Sequence, residues 1–119
     1  MEFELRELVV GKESFNKLLN ADLPVKVSYR LSKTIKKIEE ELKHFDVNRI
    51  ELIKKYGETE DNIHYTVKKE NMESYVKDME ELFTEKVDIN VTQVTLTEIE
   101  NAKLSSVDMS NLSKLIKEE

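Results

Sequence analysis

From Leu31 onward, apolar residues recur at alternating steps of four and three: Leu31, Ile35, Ile38, Leu42 and Phe45, with Leu52 and Tyr56 in the same phase. That spacing keeps one face of an α-helix apolar. Asp22 and Pro24 supply a start, because proline is tolerated in the first helical turn, where its missing N–H has no intrahelical partner. Gly57 supplies a stop, as a left-handed cap. A helix over residues 23–56 would be ~50 Å long at 1.5 Å per residue. A compact domain of this size has a radius of gyration of ~13–14 Å and a diameter near ~35 Å. The helix must therefore protrude, bend or be covered by a second chain. A repeat of about 3.5 residues, the requirement of a helix–helix seam, favours the last. Arg49 occupies the one position where the apolar phase is broken. It is a register-setting polar residue, a partner for a buried carboxylate, an anion ligand, or the point where the helix bends and the seam rotates to Ile50 and Ile53; the last is the simplest.

The flanking segments are shorter. Phe3 and Leu5 alternate with Glu2, Glu4 and Arg6, the period of a half-buried strand. Gly11 breaks that run, and Ser14, Phe15, Leu18 and Leu19 fit a short helix ending near Asn20. Residues 57–62 (GETEDN) read as an acidic turn, and Ile63, Tyr65 and Val67 as a short strand. Met72, Tyr75, Val76, Met79, Leu82 and Phe83 share one face of a second helix over 70–86, which folds back on the first as an antiparallel hairpin. Val87, Ile89 and Val91 alternate, but Val94 and Leu96 are out of step by one residue, as expected of one strand with a bulge near Thr92 or Gln93. Thr97 with Glu100, and Ser105 with Asp108, have capping-box spacing. Met109, Leu112, Leu115 and Ile116 stripe a closing helix. The predicted fold is one α+β domain over residues 1–119, with the long amphipathic helix in a helical hairpin packed against a small, about three-stranded sheet and a C-terminal helix.

Composition narrows the function classes. A chain of 119 residues suits a single core, and with no cysteine it has neither disulfides nor thiolate chemistry. Charged residues make up 37% of the chain and apolar ones 39%, which fits solvated helix faces around a periodic core. A net charge of −6 argues against broad nucleic-acid binding. No apolar run is long enough to span a membrane, and the charged first twenty residues do not form a signal-peptide core. The expectation is a cytoplasmic protein. Two glycines, Gly11 and Gly57, cannot build a phosphate-binding glycine loop or a nucleophile elbow, so no enzyme motif and no cofactor site is expected.

The strongest candidate chemistry is a basic stripe. Between Val25 and Ile38 there are five cations and no acid, and Lys26, Arg30, Lys33 and Lys37 step by four, three and four along one helical face. Lys36 is the fifth, Ser28, Ser32 and Thr34 add hydroxyls, and Tyr29 offers a ring. The stripe starts near a helix N-terminus, which also favours anions. It is either an anion or nucleotide site made of Lys26, Tyr29, Arg30, Lys33 and Lys37, or a solvated face balanced by Glu39, Glu40 and Glu41. The seam residues Leu31, Ile35, Ile38, Leu42, Phe45, Arg49 and Leu52 serve either an oligomer or the hairpin. Glu41 and His44 have the spacing of a di-iron carboxylate motif, but one such pair does not make that site, and no metal is expected.

The stretch ADLPVKVSYRLSKTIKKIEEELKHF, followed by IELIKKYGE and later by VDINVTQVTLTEIENAKLS, resembles a family of small uncharacterised proteins from phages and prophages of Gram-positive bacteria. Ser105-Ser106 stands where that family has Ser-Pro before its last helix. The resemblance implies a phage origin and the cytoplasm of a bacterial host, and carries no catalytic residue with it. In that setting the chain is expected to be a non-enzymatic binding protein. One form is an anti-defence sponge, a homo-oligomer that sequesters a nucleotide immune signal. The alternatives are a virion or assembly accessory protein and a direct protein inhibitor of a host factor.

Overall fold

The structure, a computed structural model, describes residues 1–118. Strand β1 (Glu2–Glu4) leads directly into helix α1 (Leu5–Leu19), and a short turn leads into helix α2 (Val25–Tyr56). A hairpin of β2 (Gly57–Glu58) and β3 (Thr66–Val67) follows, then helix α3 (Met72–Phe83) and strand β4 (Lys86–Asp88). The chain closes with β5 (Val94–Thr95), helix α4 (Ser106–Asn111) and β6 (Ile116–Lys117). The class is α+β, as the sequence predicts, but the described strands form three separate pairs rather than one sheet. These are β1 with β4 and β2 with β3, both antiparallel, and β5 with β6, which is parallel.

The core is a three-helix arrangement. α1 lies on the first half of α2, and α3 folds back along its second half. Leu8, Leu18, Leu31, Ile35, Ile38, Val94, Leu112 and Leu115 are almost wholly removed from water. The rings of Phe45 and Phe83 pack at 5.4 Å between centroids, and those of Tyr56 and Tyr75 meet edge-on at 6.5 Å. Phe45 precedes Tyr56 while Phe83 follows Tyr75, so α2 and α3 run antiparallel, the expected hairpin. The seam of α2 is thus covered from within. Leu31, Ile35, Ile38 and Phe45 are buried, and Leu42 and Leu52 pack on them half-buried. A second chain is not needed to explain the repeat.

At 32 residues α2 is ~48 Å long. It resolves the length problem by protruding: the molecule measures 52 × 26 × 24 Å, with a radius of gyration of 17.3 Å. α1 begins at Leu5, whose N–H donates to the Glu85 carbonyl just after α3 and which lines one groove with Phe45, Asn48 and Leu52 of α2. Arg49 is partly exposed and pairs with Asp46 one turn back at 3.5 Å.

Several local readings are corrected. Leu5 does not continue the strand; it opens α1, which runs straight through Gly11, over which the Phe15 ring packs closely while Asn111 of α4 stands in ordinary contact. Gly57 is not a left-handed cap. Its φ of −102° and ψ of 172° make it the first residue of β2, and a Cβ there would stand 2.4 Å from the Ile53 carbonyl oxygen. The left-handed residue is Asn62, at φ 61° within the acidic turn. The expected strand at 63–67 forms only at Thr66–Val67. The phase slip after Val91 is a change of sheet, not a bulge: β4 pairs with β1, and the chain then crosses over to pair β5 with β6. The turn after β5 begins one residue before the expected Thr97 cap, at Leu96. Thr95 and Glu98 form a reciprocal box there, exchanging backbone N–H and side-chain bonds at 2.9 and 3.2 Å. The Ser105–Asp108 box forms as expected. The closing helix ends at Asn111, and Leu115 and Ile116 belong to a 3-10 turn and to β6.

Candidate functional site

The basic stripe emerges on the solvent side of the first half of α2. Lys26, Lys33, Lys36 and Lys37 are exposed, and among the described residues none is ion-paired. Tyr29 is 64% exposed, with the Lys33 ammonium 5.4 Å from its ring centroid. One member of the expected site, and one of the hydroxyls expected beside it, point elsewhere. Arg30 turns to the Glu98 carboxylate, fastening α2 to the turn after β5. Glu98 is held below the usual carboxylate range, first by the Thr95 N–H and then by Arg30. Thr34 is buried and accepts the Thr92 N–H at 3.2 Å, so it belongs to the core. What remains is a convex cationic face, with a ring lying on it and its one arginine engaged.

The same helical face changes sign further along. Four residues after Lys37 comes Glu41, and then, at steps of three and four, His44 and Asn48. These form one wall of an open groove between α2 and α3, about 530 Å³ in volume. Its floor is apolar: Leu5, Phe45, Leu52, Leu82 and Val87. Its rim is acidic: Glu41, Asp78, Glu81 and Glu85. Asp78 is partly occupied at one end, by the Tyr56 hydroxyl and by Lys55 at 3.8 Å. Glu41, Glu81 and Glu85 have no ion pair among the described residues. Sequence reasoning missed this groove, because its acids look like ordinary helix-surface charge until α3 folds back beside α2. The available signal was the step of four from Glu81 to Glu85, beside Leu82 on the hairpin side.

Two further clusters resemble chemical sites but are internally satisfied. Asp108, 4% exposed, accepts the Ser14 hydroxyl at 2.7 Å, the Lys17 ammonium at 3.0 Å and the Ser105 N–H at 3.0 Å. Asn111 donates to the Ser14 oxygen at 3.2 Å. The Ser105 N–H, then Ser14, then Lys17 hold the Asp108 carboxyl well below its ordinary range. Serine, lysine and aspartate here form a clamp between α1 and α4, in which the Ser14 hydroxyl donates to a carboxylate rather than to a base. In the acidic turn, Asp61 accepts the Ile63 and His64 N–H groups at 2.9 and 2.8 Å, and its other oxygen lies 2.8 Å from His64 Nδ1. That chiefly organises the turn. Among the described residues no group of three or more histidines, cysteines or acids is placed to hold a metal, and Glu41 with His44 stand on the groove wall without further ligands. Nor is any described helix long and apolar enough to cross a membrane.

No protein-family model, no curated protein and no solved structure matches the chain. The case for function therefore rests on surface chemistry.

Proposed function

We propose that this is a non-enzymatic, phage-encoded binding protein that holds a cationic, amphipathic segment of a protein in the α2–α3 groove, acting as a direct inhibitor of a host factor. The observation that carries this reading is the groove's construction: an apolar floor framed by carboxylates of one sign. Apolar side chains of a bound segment would be desolvated on Phe45, Leu52 and Leu82. Its lysines or arginines would meet Glu41, Glu81 and Glu85, giving charge-assisted hydrogen bonds and steering the encounter. Such a groove is one of the recurring ways in which a helix or extended peptide is recognised. The phage setting comes from the sequence resemblance.

A nucleotide sponge using Lys26, Tyr29, Arg30, Lys33 and Lys37 has less support. Arg30 is committed to Glu98, and a convex face desolvates a small ligand poorly, whereas small-molecule sites are concave.

The test is affinity purification of the tagged protein from phage-infected bacterial lysate, comparing the wild type with Glu81→Lys/Glu85→Lys and with Lys33→Glu/Lys37→Glu. The proposal expects one host protein in stoichiometric amount, lost with the groove variant and retained, at most weakened, with the stripe variant. Retention by the groove variant with loss by the stripe variant would overturn it.

A further inference from the structure

The protruding half of α2 carries a second pattern that the chain's own core does not use. Val47, Ile50 and Ile53 succeed one another at steps of three. Val47 is 57% exposed and Ile50 43%, with Ile53 half-buried beside them. At 3.6 residues per turn, Ile50 stands about half a turn round the helix from Glu41 and from Asn48, and so faces away from the groove. The flanking charges alternate: Lys43 and Asp46 before the apolar trio, Lys54 and Glu58 after it. All four are exposed. Among the described residues Asp46 holds only the one-turn contact to Arg49 and keeps 53% of its side chain exposed, and the Lys54 ammonium lies 5.9 Å from the Tyr65 ring centroid.

The order plus, minus, apolar, plus, minus is self-complementary under a two-fold axis. If α2 runs antiparallel to a copy of itself about Ile50, Ile50 meets Ile50 and Val47 meets Ile53. In the same register Asp46 meets Lys54, and Lys43 comes opposite Gly57, beside Glu58 in β2 just past the helix end. An isologous interface requires that kind of match, in which one patch serves both sides. We propose that this face of α2 is the interface of a homodimer of the chain.

Charge antisymmetry centred on an exposed isoleucine argues for a second copy over an unrelated partner, since the face supplies its own counter-charges. Three apolar side chains per copy make an interface well below the standard ~800 Å² per partner, so the dimer is weak, with a dissociation constant on the order of tens of micromolar. Both grooves remain open on the outer sides of the pair. The dimer would therefore present two binding sites to a multivalent target, with the gain in avidity that follows.

Sedimentation equilibrium of the purified protein, from about 1 to 500 µM so as to bracket that constant, tests this without any binding partner. The expected mass rises with concentration from the 14.0 kDa monomer towards its double. Ile50→Asp should stay monomeric with an unchanged circular dichroism spectrum, because the site is exposed. Asp46→Lys should weaken the dimer about tenfold, and Asp46→Lys/Lys54→Asp should restore it. Within one chain these positions are eight residues and ~12 Å apart along the helix, so rescue requires contact between chains. A wild type that stays monomeric throughout, an Ile50→Asp variant that still dimerises, or a double swap that fails to rescue would each overturn the proposal.

Discussion

Gly11 lies in the middle of α1, and replacing it with alanine sets two opposing effects against each other. Relief of glycine's backbone entropy in a helix interior is worth ~1 kcal/mol in favour of alanine. Against it, the new Cβ would stand 3.0 Å from both Cε2 and Cζ of Phe15, and 3.6 Å from Cβ of Asn111 on α4. The Phe15 ring is 2% exposed, so it withdraws only by displacing its core neighbours. Forcing a methyl into a packed site costs ~1–3 kcal/mol. The packing term should win, leaving Gly11→Ala less stable by ~1 kcal/mol and lowering Tm by about 3–6 °C for a domain of this size. Urea unfolding followed by circular dichroism, for Gly11→Ala, Phe15→Leu and the double variant, separates the two effects. Leucine lacks the outer ring atoms that the new methyl meets, so the double variant should be more stable than additivity allows by ~2 kcal/mol, the full packing term. A Gly11→Ala protein stabilised by the full propensity gain, with no coupling to Phe15, would refute the close packing of the Phe15 ring over Gly11.

Other consequences can be checked in the same way. Ile38→Ala, deep in the core at 1% exposure, should cost ~2–5 kcal/mol in urea unfolding, whereas Arg49→Ala at a partly exposed position should change stability by less than ~0.5 kcal/mol. Asp108 has its folded-state pKa depressed, so unfolding takes up a proton in acid. Its stabilising contribution is complete above the ordinary aspartate value of about 3.9 and should fade as pH falls below it. Urea midpoints measured from pH 6 down to pH 3 should fall less steeply for Asp108→Asn than for the wild type. Gly57→Ala should loosen the β2–β3 hairpin more than Gly11→Ala disturbs α1, because the obstructing atom is the fixed Ile53 carbonyl; faster amide exchange at Lys68, whose N–H donates to the Tyr56 carbonyl, would report it.

Helices with a long apolar period were legible in the residues alone. The step of four and three from Leu31 to Phe45 placed α2 and its buried face, and Met79, Leu82 and Phe83 placed α3 and the hairpin. Short elements were not legible, because two or three residues carry too little periodicity to compete with tertiary contacts. Leu5 alternates like a strand residue but belongs to a helix, and Val87 and Val94 read as one interrupted strand although they pair with opposite ends of the chain. The apolar repeat also could not say which surface would cover it. α1 supplied that surface, drawing on Leu8, Phe15 and Leu18, whose helical spacing is visible only when Gly11 is read as a packing position and not as a break. The basic stripe was legible as a stripe, but the loss of Arg30 to Glu98 was not, since those residues are brought together only by the path of β5. The groove stayed hidden for the same reason: its acids and its floor come from three helices, one strand and the turn before that strand.

Native mass spectrometry of the protein purified from phage-infected bacterial lysate tests the central claim most directly, because it weighs whatever the groove and the stripe retain. The account predicts one bound protein mass per protomer and no nucleotide-sized adduct, with the bound protein absent from the Glu81→Lys/Glu85→Lys variant. A nucleotide-sized adduct without any bound protein, lost from Lys33→Glu/Lys37→Glu and kept by the groove variant, would contradict it and return the function to the cationic face of α2.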